Sequence, residues 1–234
     1  RESHTERQTT RQREKDRQQY KERKTDNMTK RKRQTSIQAR VQQISAACVD
    51  YEKEAERIKT ASATRGTSMH KYLENYVLGK GYEDLTELGQ ETKRMAEKVI
   101  ELGLAPVSGI FGSEVTLYYP GLYAGSTDLV GIHNDKETVI DFKQANRPKK
   151  EESIGDYKLQ CAAYAMAHDQ VHGSNIEQCV IMVCTPDLYY QEFRVTDHEL
   201  RAWKHKFLKR LDMYHDLIND EKERVAPMKE EDFK

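Results

Sequence analysis

Three acidic residues and one lysine carry the chemistry that this sequence suggests: Glu114, Asp128, Asp141 and Lys143, all in segments that are typical of β-strands. Alternate residues of a strand share a face, so Asp141 and Lys143 should point the same way and Phe142 the opposite way. A charge in an apolar strand costs several kcal/mol unless it is paired or bound to a metal. The tripeptide therefore indicates either a structural ion pair at a strand end or part of a metal site.

Asp128 precedes Asp141 by about the spacing expected of two neighbouring hairpin strands. Carboxylate oxygens that converge from adjacent strands are ligands suited to Mg²⁺ or Mn²⁺. The sequence thus favours a site for one or two divalent ions over the structural alternative.

The segments that must position these residues follow from the hydrophobic pattern. Helical spacing begins at Ile37, starts again after Gly66-Thr67-Ser68, and recurs over residues 85–102. Three extended segments follow, separated by Pro120-Gly121 and by the turn "HNDK", which predicts an antiparallel meander.

The remainder alternates between the two kinds of structure. Residues 154–171 have helical spacing, two strands flank the turn Thr185-Pro186-Asp187, and a last helix covers residues 197–219. This order predicts an α/β fold in which helices flank a mixed central β-sheet.

Charge divides the chain unevenly although Lys+Arg and Asp+Glu both number 39. Residues 1–40 hold 14 basic and 6 acidic residues, a net charge of +8, and residues 41–234 hold 25 and 33, a net charge of −8. We predict a basic polar arm over 1–40, helical or disordered, and one catalytic-size domain over 41–234. The arm could contact a polyanion such as DNA or be a solvated extension.

Composition excludes some classes of protein. No run approaches the ~18 apolar residues that a membrane span requires. Four cysteines at irregular spacing are too few for a secreted disulfide framework, so we expect a reducing compartment such as the cytoplasm. No Gly-rich phosphate loop or nucleophile elbow is present either.

In this context the chain resembles the RecB-like branch of the PD-(D/E)XK nuclease superfamily. That branch carries, in order, a helix-borne His, a Glu, an Asp, a D/E-X-K strand and a Q-x-x-x-Y helix. The corresponding residues are His70, Glu114, Asp128, Asp141 with Lys143, and Gln160 with Tyr164. The strings "RGTSMHKYLE" and "DFKQANRPKK" look like those of the mitochondrial genome maintenance exonucleases and their phage relatives, although Gln144-Ala145 replaces a common Thr-Ser.

The resemblance implies a restriction-endonuclease-like core and a DNA exonuclease that requires Mg²⁺ or Mn²⁺ and acts on single strands or frayed ends. It implies metal ligands at His70, Glu114, Asp128, Asp141 and the Phe142 carbonyl. Lys143 would then act on the attacking water. Expected DNA contacts come from Gln160, Tyr164, Arg147, Lys149 and Lys150.

Several alternatives stay open at this stage. A flap, nicking or restriction-type endonuclease would have the same fold, and a non-catalytic nucleic-acid-binding module is a different class. Related nucleases bind an iron–sulfur cluster through four cysteines, but here Cys161 falls within a helix and Cys179 and Cys184 fall in a strand, so we expect no cluster. A helicase, polymerase or single-strand-binding protein could be a partner, and a mitochondrial location is the alternative to the cytoplasm of a bacterium or phage-infected host.

Overall fold

The structure is a computed structural model that describes residues 4–225. Its elements, in chain order, are α1 (His4–Val77), α2 (Glu87–Leu102), β1 (Val107–Tyr119), β2 (Tyr123–His133), β3 (Lys136–Gln144), a 3₁₀ turn (Glu151–Ser153), α3 (Gly155–His172), β4 (Gln178–Cys184), β5 (Tyr190–Thr196) and α4 (Asp197–Val225). The chain divides into two compact units, Arg1–Lys59 and Thr60–Lys234. The described part of the first unit is helix throughout, and the domain division near residue 40 stays a prediction.

The five strands form one mixed sheet in the order β1-β2-β3-β4-β5. The β1–β2, β2–β3 and β4–β5 pairs are antiparallel, whereas β3 and β4 are parallel and are connected through α3. The predicted meander, the second strand pair and the mixed α/β architecture are therefore confirmed.

Each face of the sheet is covered by helices. Ile140 and Phe142 of β3 belong to an apolar cluster that also contains Met69 of α1 and Met95 of α2. Val139 belongs to a second cluster on the other face, together with residues of α3 and α4. The strand alternation that placed Asp141 opposite to Phe142 thus puts Asp141 on the α3 face.

Helix α1 differs from the sequence prediction, because Gly66-Thr67-Ser68 does not start a new helix and α1 runs through it. The Thr67 hydroxyl donates to the Ala63 carbonyl at 3.2 Å, and the Ser68 hydroxyl lies 2.8 Å from that of Thr92 in α2. These side chains find partners within or beside the helix, so they have no need to cap it.

Helices α2 and α3 begin and end within two residues of their predicted bounds, whereas α4 begins at residue 197 as predicted but continues to Val225, six residues beyond its predicted end. Helix α2 begins where the Thr86 hydroxyl accepts a hydrogen bond from the Gly89 N–H at 3.0 Å, a typical N-cap. Helix α3 ends at Gly173, whose φ of 64° is the left-handed conformation that glycine favours there. Within residues 4–225, no helix has both the length and the apolar character that crossing a membrane requires.

Candidate active site

The candidate site lies where the pairing of β2 with β3 ends. The last pair of that ladder is Leu129 with Ile140, so Asp128 and Asp141 are the next residues on the two strands. Beyond this point β2 continues to pair with β1, and β3 continues to pair with β4. Here the Asp128 side chain replaces a backbone hydrogen-bond partner, because its Oδ2 accepts a hydrogen bond from the Phe142 N–H at 2.6 Å.

A third strand, β1, brings Glu114 to the same place. Ser113 pairs with Leu129 and Val115 pairs with Thr127, so Glu114 lies across from Asp128. Glu114 has a φ of 51°, in the left-handed region that residues other than glycine rarely adopt. Such strain costs on the order of 1–3 kcal/mol and clusters at functional sites.

Helix α1 adds an imidazole to these carboxylates. His70 Nδ1 lies 3.2 Å from Asp128 Oδ1. One potential ligand atom from each of His70, Glu114 and Asp128 lies within 4.8 Å of the other two. The structure thus brings together three of the predicted metal ligands from three separate elements.

Asp141 lies beside this group and faces Lys143. The Asp141 side chain is nearly inaccessible, and Lys143 Nζ lies 2.6 Å from its Oδ2. Within the described chain the Lys143 ammonium is the partner of Oδ2, and no other donor reaches that oxygen. An ionised carboxylate has about four lone-pair sites, so one cationic partner leaves room for a further positive group.

The charges of the site shift its pKa values. Burial, together with the charge of Asp128, raises the pKa of Asp141 from 3.8 to about 6, although Lys143 opposes this rise. Burial and the charge of Asp128 also raise the pKa of Glu114. Burial by itself lowers the pKa of His70, but the hydrogen bond and charge of Asp128 outweigh it, so the net change is upward. The site therefore concentrates negative charge that a cation would neutralise.

The residues present fit a divalent metal ion. Two carboxylates and an imidazole converge, and the buried carboxylate of Asp141 lies beside them with Lys143 as its partner. Carboxylate oxygens suit Mg²⁺ and Mn²⁺, and imidazole also binds first-row transition ions. The Phe142 side chain packs in the core, and its N–H donates a hydrogen bond to Asp128. A metal-ligand role for the Phe142 carbonyl stays a prediction.

Helix α3 closes one side of the site with the predicted pair Gln160 and Tyr164. Gln160 Nε2 donates to Tyr164 Oη at 2.7 Å. A Cβ atom at Gly125 of β2 would lie 2.9 Å from the Tyr164 ring, so only glycine permits this packing. Burial raises the pKa of Tyr164, and the charge of Asp141 adds to the effect. Tyr164 is therefore within electrostatic range of Asp141, and Gln160 is hydrogen-bonded to Tyr164.

Two open clefts border these residues. One, of about 390 Å³, is lined by Gly66, Thr67, His70, Lys71, Glu74 and Glu114. Glu74 pairs with Lys71 at 2.9 Å there. The other cleft lies beyond the end of β3 and has a volume of about 750 Å³.

This second cleft, which we call the basic cleft, contains the predicted DNA-contact residues Arg147, Lys149 and Lys150, and its remaining lining residues are Ser62, Gln144, Ala145, Asn146, Pro148, Glu152, Ser153 and Tyr157. The Lys149 backbone is fixed by two hydrogen bonds with the Gln191 side chain, at 2.7 and 2.9 Å. The loop after β3 thus presents its cations from an anchored backbone.

Tyr157 was missed by the sequence analysis. Its ring centroid lies 5.4 Å from Lys143 Nζ and 5.9 Å from Lys149 Nζ, within range of cation–π attraction. The ring therefore stands between the lysine of the site and the basic cleft. The sequence feature that could have identified Tyr157 is its position three residues before Gln160 on the same helix, because this spacing puts both residues on one face.

Comparison with known proteins shows the fold. No protein-family profile and no curated protein matches the sequence. A solved candidate exonuclease from Eubacterium rectale is similar, with a TM-score of 0.51 and 13% identity over 70% of this chain and 69% of that chain. An alkaline exonuclease from Laribacter hongkongensis aligns with 72% of this chain and 100% of its own length, at 16% identity and a TM-score of 0.29. The first of these similarities shows that the α/β fold is shared.

Proposed function

We propose that this chain is a divalent-metal-dependent deoxyribonuclease of the PD-(D/E)XK superfamily, in its RecB-like branch, and that it acts as an exonuclease on single-stranded DNA or frayed ends. One observation carries the proposal: His70, Glu114 and Asp128 converge at the end of the β2–β3 ladder beside the Asp141–Lys143 pair. The shared fold of a candidate exonuclease supports it.

The acidic residues and the imidazole would hold the metal. His70, Glu114 and Asp128 supply one converging set of donors, and Asp141 with the Phe142 carbonyl would complete the coordination of one or two ions. When bound, such an ion polarises the scissile phosphate and lowers the pKa of a coordinated water.

Lys143 would orient the attacking water and offset negative charge on the phosphate. Its ammonium is held by Asp141 on one side and by the Tyr157 ring on the other, which fixes its direction. Burial lowers the pKa of Lys143, but the charge of Asp141 outweighs this effect and keeps the amine protonated. In this state it can stabilise developing negative charge without moving.

The basic cleft would hold the DNA backbone. Arg147, Lys149 and Lys150 follow β3 directly, so a strand lying in the cleft would pass close to Lys143. Gln160 would contact the scissile phosphate or a metal-bound group, and Tyr164 would hold Gln160 in position. Lysine and arginine contacts to phosphates supply most sequence-independent affinity.

A structure-specific endonuclease is the second candidate, because both clefts are open and could admit a continuous strand. A non-catalytic DNA-binding module would have no need of the buried Asp141–Lys143 pair, whose burial is costly. A helicase, polymerase or single-strand-binding protein would be a plausible supplier of DNA ends to an exonuclease.

Labelled DNA substrates test this function. Linear single-stranded, linear duplex and covalently closed circular single-stranded DNA, with label at either end of the linear forms, are incubated with Mg²⁺ and the full chain. We expect progressive loss of linear strands from one end and survival of the circle. Cleavage of the circle would favour the endonuclease, and the absence of any cleavage with Mg²⁺ or Mn²⁺ would refute the nuclease assignment.

A further inference from the structure

The first compact unit carries an apolar stripe on helix α1. The stripe follows alternating steps of four and three residues and consists of Ile37, Val41, Ile44, Cys48, Tyr51, Ala55 and Ile58, which we call the 37–58 seam. Alternation of four and three is the heptad repeat of coiled coils, in which the a and d positions face a partner helix. On this basis Val41, Cys48 and Ala55 occupy a positions and the other four residues occupy d positions.

The seam is exposed along its whole length. The large apolar side chains at its d positions are 48% to 81% exposed, and Val41 is 56% exposed. Cys48 and Ala55 are exposed as well. The helix derives little stability from its own apolar contacts, since most helical stability in proteins comes from packing an apolar face against another element.

The seam is also bounded. Gln34 holds the next heptad position before it, and Ser62 holds the next one after it. Ser62 already has a partner, because its hydroxyl donates to Gln144 at 2.9 Å. The apolar stripe thus covers 22 residues, or roughly 33 Å of helix at 1.5 Å per residue.

Charges beside the seam are compatible with a parallel partner of the same sequence. In a parallel coiled coil a g residue faces the e residue five positions later on the neighbouring helix. Glu54 is at g and Lys59 is at e. In two identical helices in register, Glu54 of each helix therefore faces Lys59 of the other, which gives two pairs of opposite charge. Each of these side chains is paired on its own helix, Glu54 with Arg57 at 2.7 Å and Lys59 with Glu56 at 3.5 Å. Both pairs are solvent-exposed, and exposed ion pairs are weak enough to exchange for contacts with a partner helix.

We propose that the 37–58 seam is a self-association surface, and that it packs against the same seam of a second copy of this chain as a parallel, in-register coiled coil. This proposal is independent of the nuclease function, since every residue of the seam lies outside the candidate active site.

The first test measures the mass of the full chain by light scattering or sedimentation over a wide concentration range. We expect a mass of two chains of 27.3 kDa, falling to one chain in the Ile44→Glu variant. The matched control is Gln43→Glu, which adds the same charge one residue away on the outer face and should keep the oligomer. A mass of three chains would overturn the two-stranded arrangement and favour a three-stranded coil, in which Ile at d also occurs.

A monomer at every concentration would overturn the proposal, as would an oligomer that survives Ile44→Glu unchanged. DNA cleavage per chain distinguishes the two proposals. Cleavage by a monomeric Ile44→Glu variant leaves the nuclease function standing, whereas a wild-type dimer that becomes a monomer in Ile44→Glu but cleaves no DNA leaves the seam standing.

The second test reads the orientation of the helices. Cys161, Cys179 and Cys184 are buried, so Cys48 is the exposed thiol, but it lies near the middle of the seam and would cross-link in either orientation. We therefore place one cysteine at the end of the seam, with Ile58→Cys in a Cys48→Ser background.

Mild oxidation of this variant should give a disulfide-linked dimer only if the helices are parallel, because an antiparallel pair would separate the two positions by roughly 30 Å. The control is Gln43→Cys in the same background, on the outer face, which should link far more slowly. Equal rates for the two variants, or no linking at position 58, would overturn the parallel arrangement.

Discussion

The carboxylate of Asp128 accepts the main-chain N–H of Phe142 at 2.6 Å, at the point where the β2–β3 ladder stops. A side chain thus takes the place of the next backbone partner. The same carboxylate lies 3.2 Å from the imidazole of His70 through its other oxygen. The position of Asp128 is therefore set by the sheet and by α1 together, which pre-organises the site before any ligand arrives.

This relationship predicts a difference between two substitutions. Asp128→Ala leaves the Phe142 N–H without an acceptor, whereas Asp128→Asn removes the charge but keeps an acceptor oxygen. A buried donor without a partner costs about 1–3 kcal/mol. Denaturant unfolding in EDTA should show the alanine variant to be less stable than the asparagine variant by about this amount. Equal stabilities would show that the hydrogen bond contributes nothing.

Lys143→Ala should remove turnover and spare DNA binding. A positioned proton donor or acceptor contributes about 10²–10⁴-fold to a rate, so single-turnover cleavage should fall by at least about 100-fold. Affinity, measured with Ca²⁺ to suppress cleavage, should change little because phosphate contacts dominate it. Lys136→Ala at the start of the same strand is the control, and cleavage by Lys143→Ala at the wild-type rate would contradict its assigned role.

Metal removal should affect both activity and stability. EDTA should abolish cleavage, and Mg²⁺ or Mn²⁺ should restore it, whereas Ca²⁺ should support DNA binding with little turnover because its coordination shell is larger and looser. Mn²⁺ at about 100 times its Kd should stabilise the folded chain by about 2.7 kcal/mol.

Asp128→Asn should lose the thermal stabilisation by Mn²⁺. Asp135→Asn, in the turn at the other end of β2, is the matched control and should keep it. An equal Mn²⁺ effect on the melting temperatures of wild type and Asp128→Asn would place the ion elsewhere.

The buried Asp141 should make the metal-free protein less stable as the pH rises. The folded protein holds this proton up to a pKa of about 6, against 3.8 ordinarily, so unfolding releases a proton between these values. The free energy of unfolding should therefore fall by up to about 3 kcal/mol between pH 4 and pH 6 and then change no further from this cause.

Asp141→Asn should lack this contribution. Other groups titrate in both proteins, so the measurement is the difference in unfolding free energy between wild type and variant, followed against pH in EDTA. A difference that does not vary from pH 4 to pH 7 would show that the pKa of Asp141 is not raised.

The basic cleft should account for part of the salt dependence of DNA binding. Replacing Lys149 or Lys150 by Gln should flatten the slope of log K against log[salt] by ~0.7 for each phosphate of single-stranded DNA that the variant no longer neutralises. Lys209→Gln on α4, which lines neither cleft, is the control. Unchanged slopes in both cleft variants would place the DNA backbone elsewhere.

Much of the fold was determined by the sequence itself. Turn-forming residues and hydrophobic periods are local signals, so the three-strand meander, the second strand pair and the helix between them could be predicted. Alternation along β3 likewise predicted that Asp141 and Lys143 share a face, and their side chains meet at 2.6 Å.

Other features were decided only by the tertiary structure. Continuation of α1 through Gly66 depends on partners such as Thr92, which lies 24 residues away from Ser68 in sequence. The left-handed backbone of Glu114 and the contact of Tyr157 with two lysines depend on register and packing between elements. Local sequence determines the propensity of each segment to form a helix or a strand. The point at which β2 and β3 stop pairing depends instead on the packing of all the strands and helices together. That point brings His70, Glu114 and Asp128 within reach of one another.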